Sequence, residues 1–281
     1  MLKKRVLTAL WGIPLLVIAV WFSEPEYSFP LFTVVAAVWG LLAAFEFYRM
    51  VGVLKVPTLA GLGLLFTLLF ILSPHFKSNL NVPLLSLFLT AAIVLPMILM
   101  IFLPKKEGLF NNWAWTIAGI LYVGWLLSYM VALRLELGTT AFPDAGRNFV
   151  FLALFTTFGS DTAAYFIGRA LGKHKLAPQI SPSKTWEGAI AGLFGAVIIS
   201  LLFTLNTPLQ LPLSYGQAIL LGLLISIFGQ LGDLAESLLK RNSGVKDSGS
   251  LMPGHGGLLD RMDSIVFAGV VVYLYYVFVV V

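Results

Sequence analysis

Residues 82–103 read VPLLSLFLTAAIVLPMILMIFL, a run without a single charged side chain. A helix needs about 20 apolar residues to cross a hydrocarbon core of ~30 Å. Similar runs fill most of the 281 residues, so that 59% of the chain is apolar, 11% is charged and the mean hydropathy is +0.93. Soluble domains carry roughly a quarter charged residues, and disordered chains have low hydrophobicity. The composition therefore excludes both classes and predicts a polytopic membrane protein.

Polar segments and Pro/Gly breaks divide the chain into about nine predicted transmembrane helices in an all-α fold. The apolar runs are continuous and do not alternate between apolar and polar residues, which argues against a β-barrel. The predicted helices span residues 6–22, 29–48, 56–73, 82–103, 113–134, 148–168, 187–205, 215–239 and 262–280.

The lysine and arginine residues give these helices an orientation. With the N-terminus placed in the cytoplasm, 15 of the 18 basic residues lie on the cytoplasmic side, and Lys77, Arg134 and Arg147 lie on the other. Positive charge is enriched in cytoplasmic loops. We therefore expect a cytoplasmic N-terminus and, after nine helices, a C-terminus outside.

The polar chemistry is concentrated in the second half of the chain. Seven of the 13 acidic residues follow residue 150, and the absence of cysteine excludes thiolate nucleophiles and thiolate metal sites. The net charge of +5 fits an anionic lipid surface or an anionic substrate better than nucleic acid, because the charges are few and lie in membrane loops. Residues 1–147 are predicted to form membrane scaffold helices, and residues 148–281 a catalytic membrane region with cytoplasmic loops.

The densest group of polar residues lies between residues 230 and 264. On a helix, Asp233, Ser237 and Lys240 share one face, and Asp260 and Asp263 recur at the start of the last predicted helix. Two facing carboxylates can hold Mg²⁺, which completes its shell with water and substrate phosphate. The alternative is that these carboxylates form ion pairs with Lys240, Arg241 or Arg261 at the membrane surface. Ionisable groups at membrane depth are costly and usually mark a site, which favours a functional role.

A glycine-rich loop separates these two carboxylate groups. Pro253, Gly254, His255, Gly256 and Gly257 follow one another, and such a loop lets backbone N–H groups approach an anion closely. The alternative is a simple turn between helices. The charged residues that flank the loop, Lys246 with Asp247 and Asp260 with Arg261, favour an anion site.

A second polar group begins at Asp161, inside a predicted helix, and continues into a basic loop that contains Lys184. Basic side chains in this loop could bind a phosphate of a substrate, or bind lipid headgroups without specificity. The small residues Gly188 and Gly192 are spaced as in helix–helix contacts, and we expect them to pack helices.

The polar residues from Ser237 to Asp263 resemble the signature of the phosphatidate cytidylyltransferases, also called CDP-diacylglycerol synthases. The matching elements are Ser237, Lys240-Arg241, Lys246-Asp247, the loop at 253–257, Asp260-Arg261 and Asp263. Two upstream segments, Ser160-Asp161 and residues 181–188, also resemble this family. The first half of the chain resembles it only in hydropathy.

The resemblance implies an enzyme of phospholipid biosynthesis in the cell inner membrane, with its active site facing the cytoplasm. It would transfer the cytidylyl group of CTP to phosphatidate, giving CDP-diacylglycerol and pyrophosphate. The resemblance also implies a homodimer. It further implies Mg²⁺ at Asp233 and Asp260, with K⁺ beside it. The expected catalytic residues are Asp161, Lys184, Asp247, His255 and Asp263. The expected substrate and phosphate contacts are Ser237, Lys240, Arg241, Lys246, Gly254, Gly256, Gly257 and Arg261.

Two other functions use similar residues. A CTP-dependent lipid kinase would transfer the γ-phosphoryl group to a lipid alcohol and release CDP. A membrane transporter would show inverted repeats and a midplane site on broken helices. No internal repeat is evident in the sequence, and the polar residues cluster on one side of the membrane, which makes a transporter the weaker alternative.

Overall fold

The computed structural model describes residues 2–23, 30–76, 84–102, 108–137, 142–249, 251–252 and 256–280. Most of these residues are helical, as the apolar runs predict. The α-helices are α1 (Leu2–Trp21), α2 (Leu31–Gly52), α3 (Ala60–Leu72), α4 (Leu84–Ile101), α5 (Leu109–Gly119), α6 (Leu126–Glu136), α7 (Ala145–Leu171), α8 (Trp186–Leu202), α9 (Tyr215–Asn242) and α10 (Asp263–Tyr275). A π-helical turn at Ile120–Trp125 joins α5 to α6, another at Tyr276–Val280 follows α10, and 3₁₀ turns lie at Ser73–His75 and Leu259–Arg261.

Five of the described helical segments are long and apolar enough to cross a membrane: Leu31–Gly52, Leu84–Ile101, Leu109–Leu135, Ala145–Leu171 and Tyr215–Asn242. Shorter apolar helices lie at Gly12–Trp21, Ala60–His75, Trp186–Leu202 and Asp263–Val279. The protein is therefore a helical membrane protein. Each predicted range overlaps one of these segments, whereas the count of nine crossings and the orientation of the termini stay predictions.

The described residues form two compact units, and the division of the chain is not sequential. The first unit combines Met1–Val131 with Asn242–Asp260, and the second combines Ala132–Arg241 with Arg261–Val281. The sequence predicts a boundary at residue 147 between scaffold helices and a catalytic region. That boundary concerns function, which the division into compact units does not test, and it stays a prediction.

The first unit is organised around α2, α3 and α5. Buried Phe66, Phe70, Ala92 and Ile120 form an apolar core between α3, α4 and the π-helical turn. The Tyr48 hydroxyl donates to the Thr116 carbonyl oxygen at 2.8 Å, which satisfies a polar group inside these apolar helices.

The second unit is built on close contact between α7 and α8. A Cβ atom added at Gly188 would lie 2.8 Å from the Ala164 carbonyl oxygen, and one added at Gly195 would lie 2.9 Å from that of Gly159. Only glycine permits backbones to approach this closely. The expectation that Gly188 packs helices is confirmed.

A hydrogen-bonded network connects α9 to these two helices. The Ser160 and Ser226 hydroxyls lie 2.7 Å apart, and the Gln230 side-chain amide donates to Ser226 Oγ at 3.0 Å and to the Ala189 carbonyl oxygen at 3.2 Å. Because each polar group has a protein partner, the three helices can bury these side chains among apolar residues.

The expectation of an all-α fold is wrong in one segment. An antiparallel hairpin of β1 (Lys175–Ala177) and β2 (Ser181–Thr185) connects α7 to α8, with Lys175 paired to Thr185 and Ala177 to Ser181. The strands are too short and polar to give a recognisable alternation. The hairpin ends where the Thr185 hydroxyl accepts a hydrogen bond from the Gly188 N–H at 3.2 Å, an N-cap that starts α8.

Candidate active site

The predicted residues Lys184 and Asp233 form an ion pair in the second unit. Lys184 lies on β2, next to the cap of α8, and Asp233 lies on α9, which continues beyond it to Asn242. The Lys184 Nζ atom is 2.8 Å from Asp233 Oδ2, and the two side chains are 21% and 37% exposed. The sequence predicted both residues as functional. The alternative of ion-paired carboxylates had named Lys240, Arg241 or Arg261 as partners, and not Lys184.

The remaining polar face of α9 also contains paired side chains. The Ser237 hydroxyl donates to Asp233 Oδ1 at 3.4 Å. One turn further on, Lys240 forms an ion pair with Glu236, whose side chain is fully buried. The burial of Glu236 shows that Lys240 compensates a carboxylate of its own helix.

Two further carboxylates lie close to Asp233. Asp161, on α7, is exposed and interacts electrostatically with Asp233, Lys184 and Arg261. Asp263, the first residue of α10, is buried and interacts with Asp233, Asp161 and Lys240. Three helices of one unit therefore bring together the three carboxylates that the sequence had placed far apart.

Arg241 connects the end of α9 to the hairpin. Its Nε atom donates to the Ile180 carbonyl oxygen at 3.4 Å, although the side chain is otherwise exposed. Across the same hairpin, His174 Nδ1 lies 2.7 Å from Glu187 Oε1 in the first turn of α8. These contacts fix both ends of the segment that carries Lys184.

The glycine-rich segment belongs to the first unit, and there it holds Asp260. The N–H groups of Gly257 and Ser248 donate to Asp260 Oδ2 at 2.8 and 3.2 Å. Gly256 has a φ of +86°, and a Cβ atom added there would lie 2.9 Å from Asp260 Oδ2 and 3.8 Å from Asp247 Cβ. Glycine is thus required both by the backbone conformation and by the neighbouring carboxylates.

The other predicted residues of this segment have different environments. Lys246 and Asp247 are exposed, whereas Gly257 is buried and its N–H is engaged with Asp260. The proposed phosphate contact of Gly257 stays a prediction. Gly254 and His255 lie outside the described residues, and their predicted roles are not addressed by the structure.

Sequence reasoning missed Glu46 of α2. Its side chain is 2% exposed, and its Oε2 atom accepts hydrogen bonds from the Leu259 N–H at 3.0 Å and the Ser248 hydroxyl at 3.4 Å. A carboxylate that follows a long apolar run is a signal that could have found it, because burial of a charge in a membrane is costly.

The carboxylates of Asp233 and Asp260 suit a hard divalent cation. Among the residues that the structure describes, no three Asp, Glu or His side chains are arranged to hold a metal ion. Mg²⁺ does not require such a cluster, since it is bound through one or two carboxylates with water and phosphate oxygens in the remaining positions. Both side chains provide oxygen donors, and Asp233 is partly exposed. The donor chemistry of each carboxylate therefore fits Mg²⁺, whereas a shared site of the two residues, which belong to different units, stays a prediction.

This combination of groups is suited to phosphate chemistry. Lysine and arginine side chains neutralise phosphate charge, and carboxylates recruit the cations that accompany polyphosphates. The basic residues Arg241, Lys246 and Arg261 are all exposed at their positions, so they are accessible to an anionic ligand. A chain that carries these groups beside long apolar helices can bind a phosphate whose remainder is lipid.

Comparison with known proteins gives relatives over the whole chain. A phosphatidate cytidylyltransferase of Bacillus subtilis (strain 168) is 35% identical over 98% of this chain and 97% of its own length. One of Staphylococcus haemolyticus (strain JCSC1435) is 36% identical over 95% of both chains. One of Brucella suis biovar 1 (strain 1330) is 46% identical over 57% of this chain and 56% of its own. Residues 3–279 match the sequence pattern of the cytidylyltransferase family, and the chain belongs to that family.

Proposed function

We propose that this protein transfers the cytidylyl group of CTP to phosphatidate, giving CDP-diacylglycerol and pyrophosphate. The observation that carries the proposal is the near full-length similarity to relatives named phosphatidate cytidylyltransferase. It covers the apolar helices as well as the charged residues of the candidate site. A lipid substrate explains why these residues belong to a membrane protein.

The reaction requires little proton transfer. A phosphate oxygen of phosphatidate attacks the α-phosphorus of CTP and forms a new P–O bond. The bond between the α-phosphorus and the oxygen that bridges it to the β-phosphate breaks, and pyrophosphate leaves with that oxygen. The nucleophile is already an anion. The main task is to bring two polyanions together and to stabilise charge on the leaving group, which is a task for cations in fixed positions.

The basic residues have two proposed roles. Lys184 and Lys240 form ion pairs with Asp233 and Glu236, and we assign to them the role of holding these carboxylates in place. Lys246 and Arg261 are exposed, and we assign them to the phosphate groups of the substrates; Arg261 also interacts electrostatically with Asp161. Arg241 is exposed as well, but its contact with the hairpin gives it an additional structural role.

Mg²⁺ is the proposed cofactor, with Asp233 and Asp260 as its protein ligands. When bound, it would neutralise phosphate charge and stabilise the departing pyrophosphate. The fit of each carboxylate supports this assignment. Asp233 is oriented by Ser237 and Lys184, and Asp260 by two backbone N–H groups. Asp161 and Asp263 lie near Asp233 and would offer further oxygen donors in this part of the second unit.

The cellular setting belongs to the same proposal. The distribution of lysine and arginine supports a cytoplasmic N-terminus, a C-terminus outside and a site that opens to the cytoplasm, where CTP is found. Location in the cell inner membrane, the homodimer and the K⁺ ion are supported by the family resemblance alone.

The experiment that tests the function separates it from the lipid kinase alternative. Purified protein in detergent micelles is given CTP with phosphatidate, with diacylglycerol, or with no lipid. Pyrophosphate release only with phosphatidate is the expected result. Release of CDP with a phosphorylated lipid in the diacylglycerol reaction would instead establish a kinase.

A further inference from the structure

Glu46 is a buried carboxylate in α2, a helix whose side chains are mostly apolar. Helix α2 contains alanine, leucine, valine and phenylalanine side chains before Glu46, and this glutamate is 2% exposed. A buried charge without partners destabilises a protein strongly. The Glu46 carboxylate therefore requires hydrogen-bond donors. For stability alone, an apolar side chain at this position would serve as well as a buried glutamate.

The donors come from the glycine-rich segment, more than 200 residues away in sequence. Glu46 Oε2 accepts from the Leu259 N–H at 3.0 Å and from the Ser248 hydroxyl at 3.4 Å, across separations of 213 and 202 residues. A Cβ atom added at Gly257 would lie 2.7 Å from Glu46 Oε2, and one added at Gly249 would overlap the same carboxylate. The carboxylate is thus packed directly against the backbone at both ends of the segment.

The same backbone also orients Asp260. Ser248, whose hydroxyl donates to Glu46, uses its N–H to donate to Asp260. Gly257, which leaves room for Glu46, donates its own N–H to Asp260 Oδ2 at 2.8 Å. Leu259, the other donor to Glu46, directly precedes Asp260 in the chain. Two carboxylates are therefore bound by one short segment, with Glu46 on its buried side.

We propose that Glu46 is a positioning residue for the cytidylyl transfer. By accepting hydrogen bonds from Ser248 and Leu259, it holds the two ends of the segment together and thereby fixes the direction of the Asp260 carboxylate. The inference rests on the proposed function. It also assigns an active-site role to α2, in the part of the chain that the sequence had assigned to scaffold.

Three variants test the proposal. Glu46→Met keeps the length of the side chain but removes both acceptors, and Glu46→Gln keeps one acceptor oxygen. Tyr48→Phe is the matched control, because it removes a buried hydrogen bond from the same helix, that to the Thr116 carbonyl oxygen, without touching the segment. Each purified protein is compared by amide hydrogen exchange of peptides covering residues 246–260, without CTP or metal, and by kcat and KM for CTP.

Glu46→Met should accelerate exchange in residues 246–260 by about tenfold or more, as expected when hydrogen bonds to a charged acceptor are lost. It should lower kcat by a similar factor with little change in KM for CTP, and Glu46→Gln should be intermediate in both measurements. Tyr48→Phe should leave exchange in this segment unchanged.

Unchanged exchange in a folded Glu46→Met protein, or an equal acceleration in Tyr48→Phe, would overturn the proposal. So would faster exchange with an unchanged kcat. If Glu46→Met does not fold, Ser248→Ala serves instead, because it removes one donor to Glu46 and leaves the hydrogen bond from the Ser248 N–H to Asp260 intact. Exchange in residues 246–260 at the wild-type rate in that variant would refute the proposal that Glu46 holds the ends of the segment together. Failure of the wild-type protein to release pyrophosphate would reject the proposed function without altering the exchange result.

Discussion

The ion pair between Lys184 and Asp233 allows a quantitative test of the candidate site. The Nζ and Oδ2 atoms are 2.8 Å apart, and the side chains are 21% and 37% exposed. Exposed pairs contribute about 0.2–1 kcal/mol, and breaking a fully buried pair costs about 3–5 kcal/mol. For this intermediate exposure we expect a coupling of about 1.5–3 kcal/mol, the range for hydrogen bonds to charged groups, or roughly tenfold to over a hundredfold.

The assay is a double-mutant cycle on kcat/KM for CTP with the variants Lys184→Met and Asp233→Asn. If the two residues act as one unit, each single substitution removes most of what the pair contributes. The double variant should then be at most about threefold slower than the slower single variant. Arg169→Met is the matched control, because Arg169 is a cation on α7 whose Nη1 atom contacts the Tyr165 hydroxyl and not Asp233.

The effects of Arg169→Met and Asp233→Asn should multiply, since these sites share no contact. Circular dichroism and gel filtration of each variant establish that the fold is retained. If the effects of Lys184→Met and Asp233→Asn also multiplied, the pair would not be a functional unit. Lys184 would then have to contact a substrate independently.

Three further outcomes are expected. Activity should disappear in EDTA and return with Mg²⁺ or Mn²⁺, measured as pyrophosphate release, and persistence of activity in EDTA would contradict the metal assignment. Lys246→Ala should lower kcat/KM by roughly tenfold or more if this exposed lysine contacts phosphate, whereas Lys175→Ala, on β1, should have little effect. Equal small effects of both substitutions would show that Lys246 contributes only nonspecific attraction to lipid. Gly257→Ala should accelerate proteolysis near residues 246–260 and lower activity, because its methyl group would overlap Ser248 and Glu46; a wild-type pattern would show that the segment can rearrange.

The positions of the helices could be predicted from the sequence because the apolar runs are long and separated by clear breaks. The run quoted from residues 82–103 corresponds to α4, Leu84–Ile101. The hairpin before α8 could not be predicted in the same way. It is held by contacts such as the Arg241 bond to the Ile180 carbonyl oxygen, which join residues 61 positions apart.

The candidate site was predicted in composition but not in pairing. The sequence indicated that charged residues concentrate in the second half, since charges in apolar surroundings are conspicuous, and the structure brings Asp161, Lys184, Asp233 and Asp263 together in one unit. Their roles stay predictions. It could not indicate that Asp233 pairs with Lys184, because that contact depends on how β2 meets α9. The Glu46 carboxylate itself stands out in the sequence, but its contacts could not be predicted for the same reason. Its partners Ser248 and Leu259 are far away in the chain and present a hydroxyl and a backbone N–H, neither of which has a distinctive sequence signal.

The long separation between Glu46 and its partners has a consequence for how the protein is made. Ser248 is synthesised 202 residues after Glu46, and at ~5–20 residues per second the interval is roughly 10–40 s. During that time α2 is already available for membrane insertion, while the groups that compensate its carboxylate do not yet exist. A chain truncated before residue 248 would contain the buried Glu46 carboxylate of α2 but neither of the groups that donate to it, Ser248 and the Leu259 N–H.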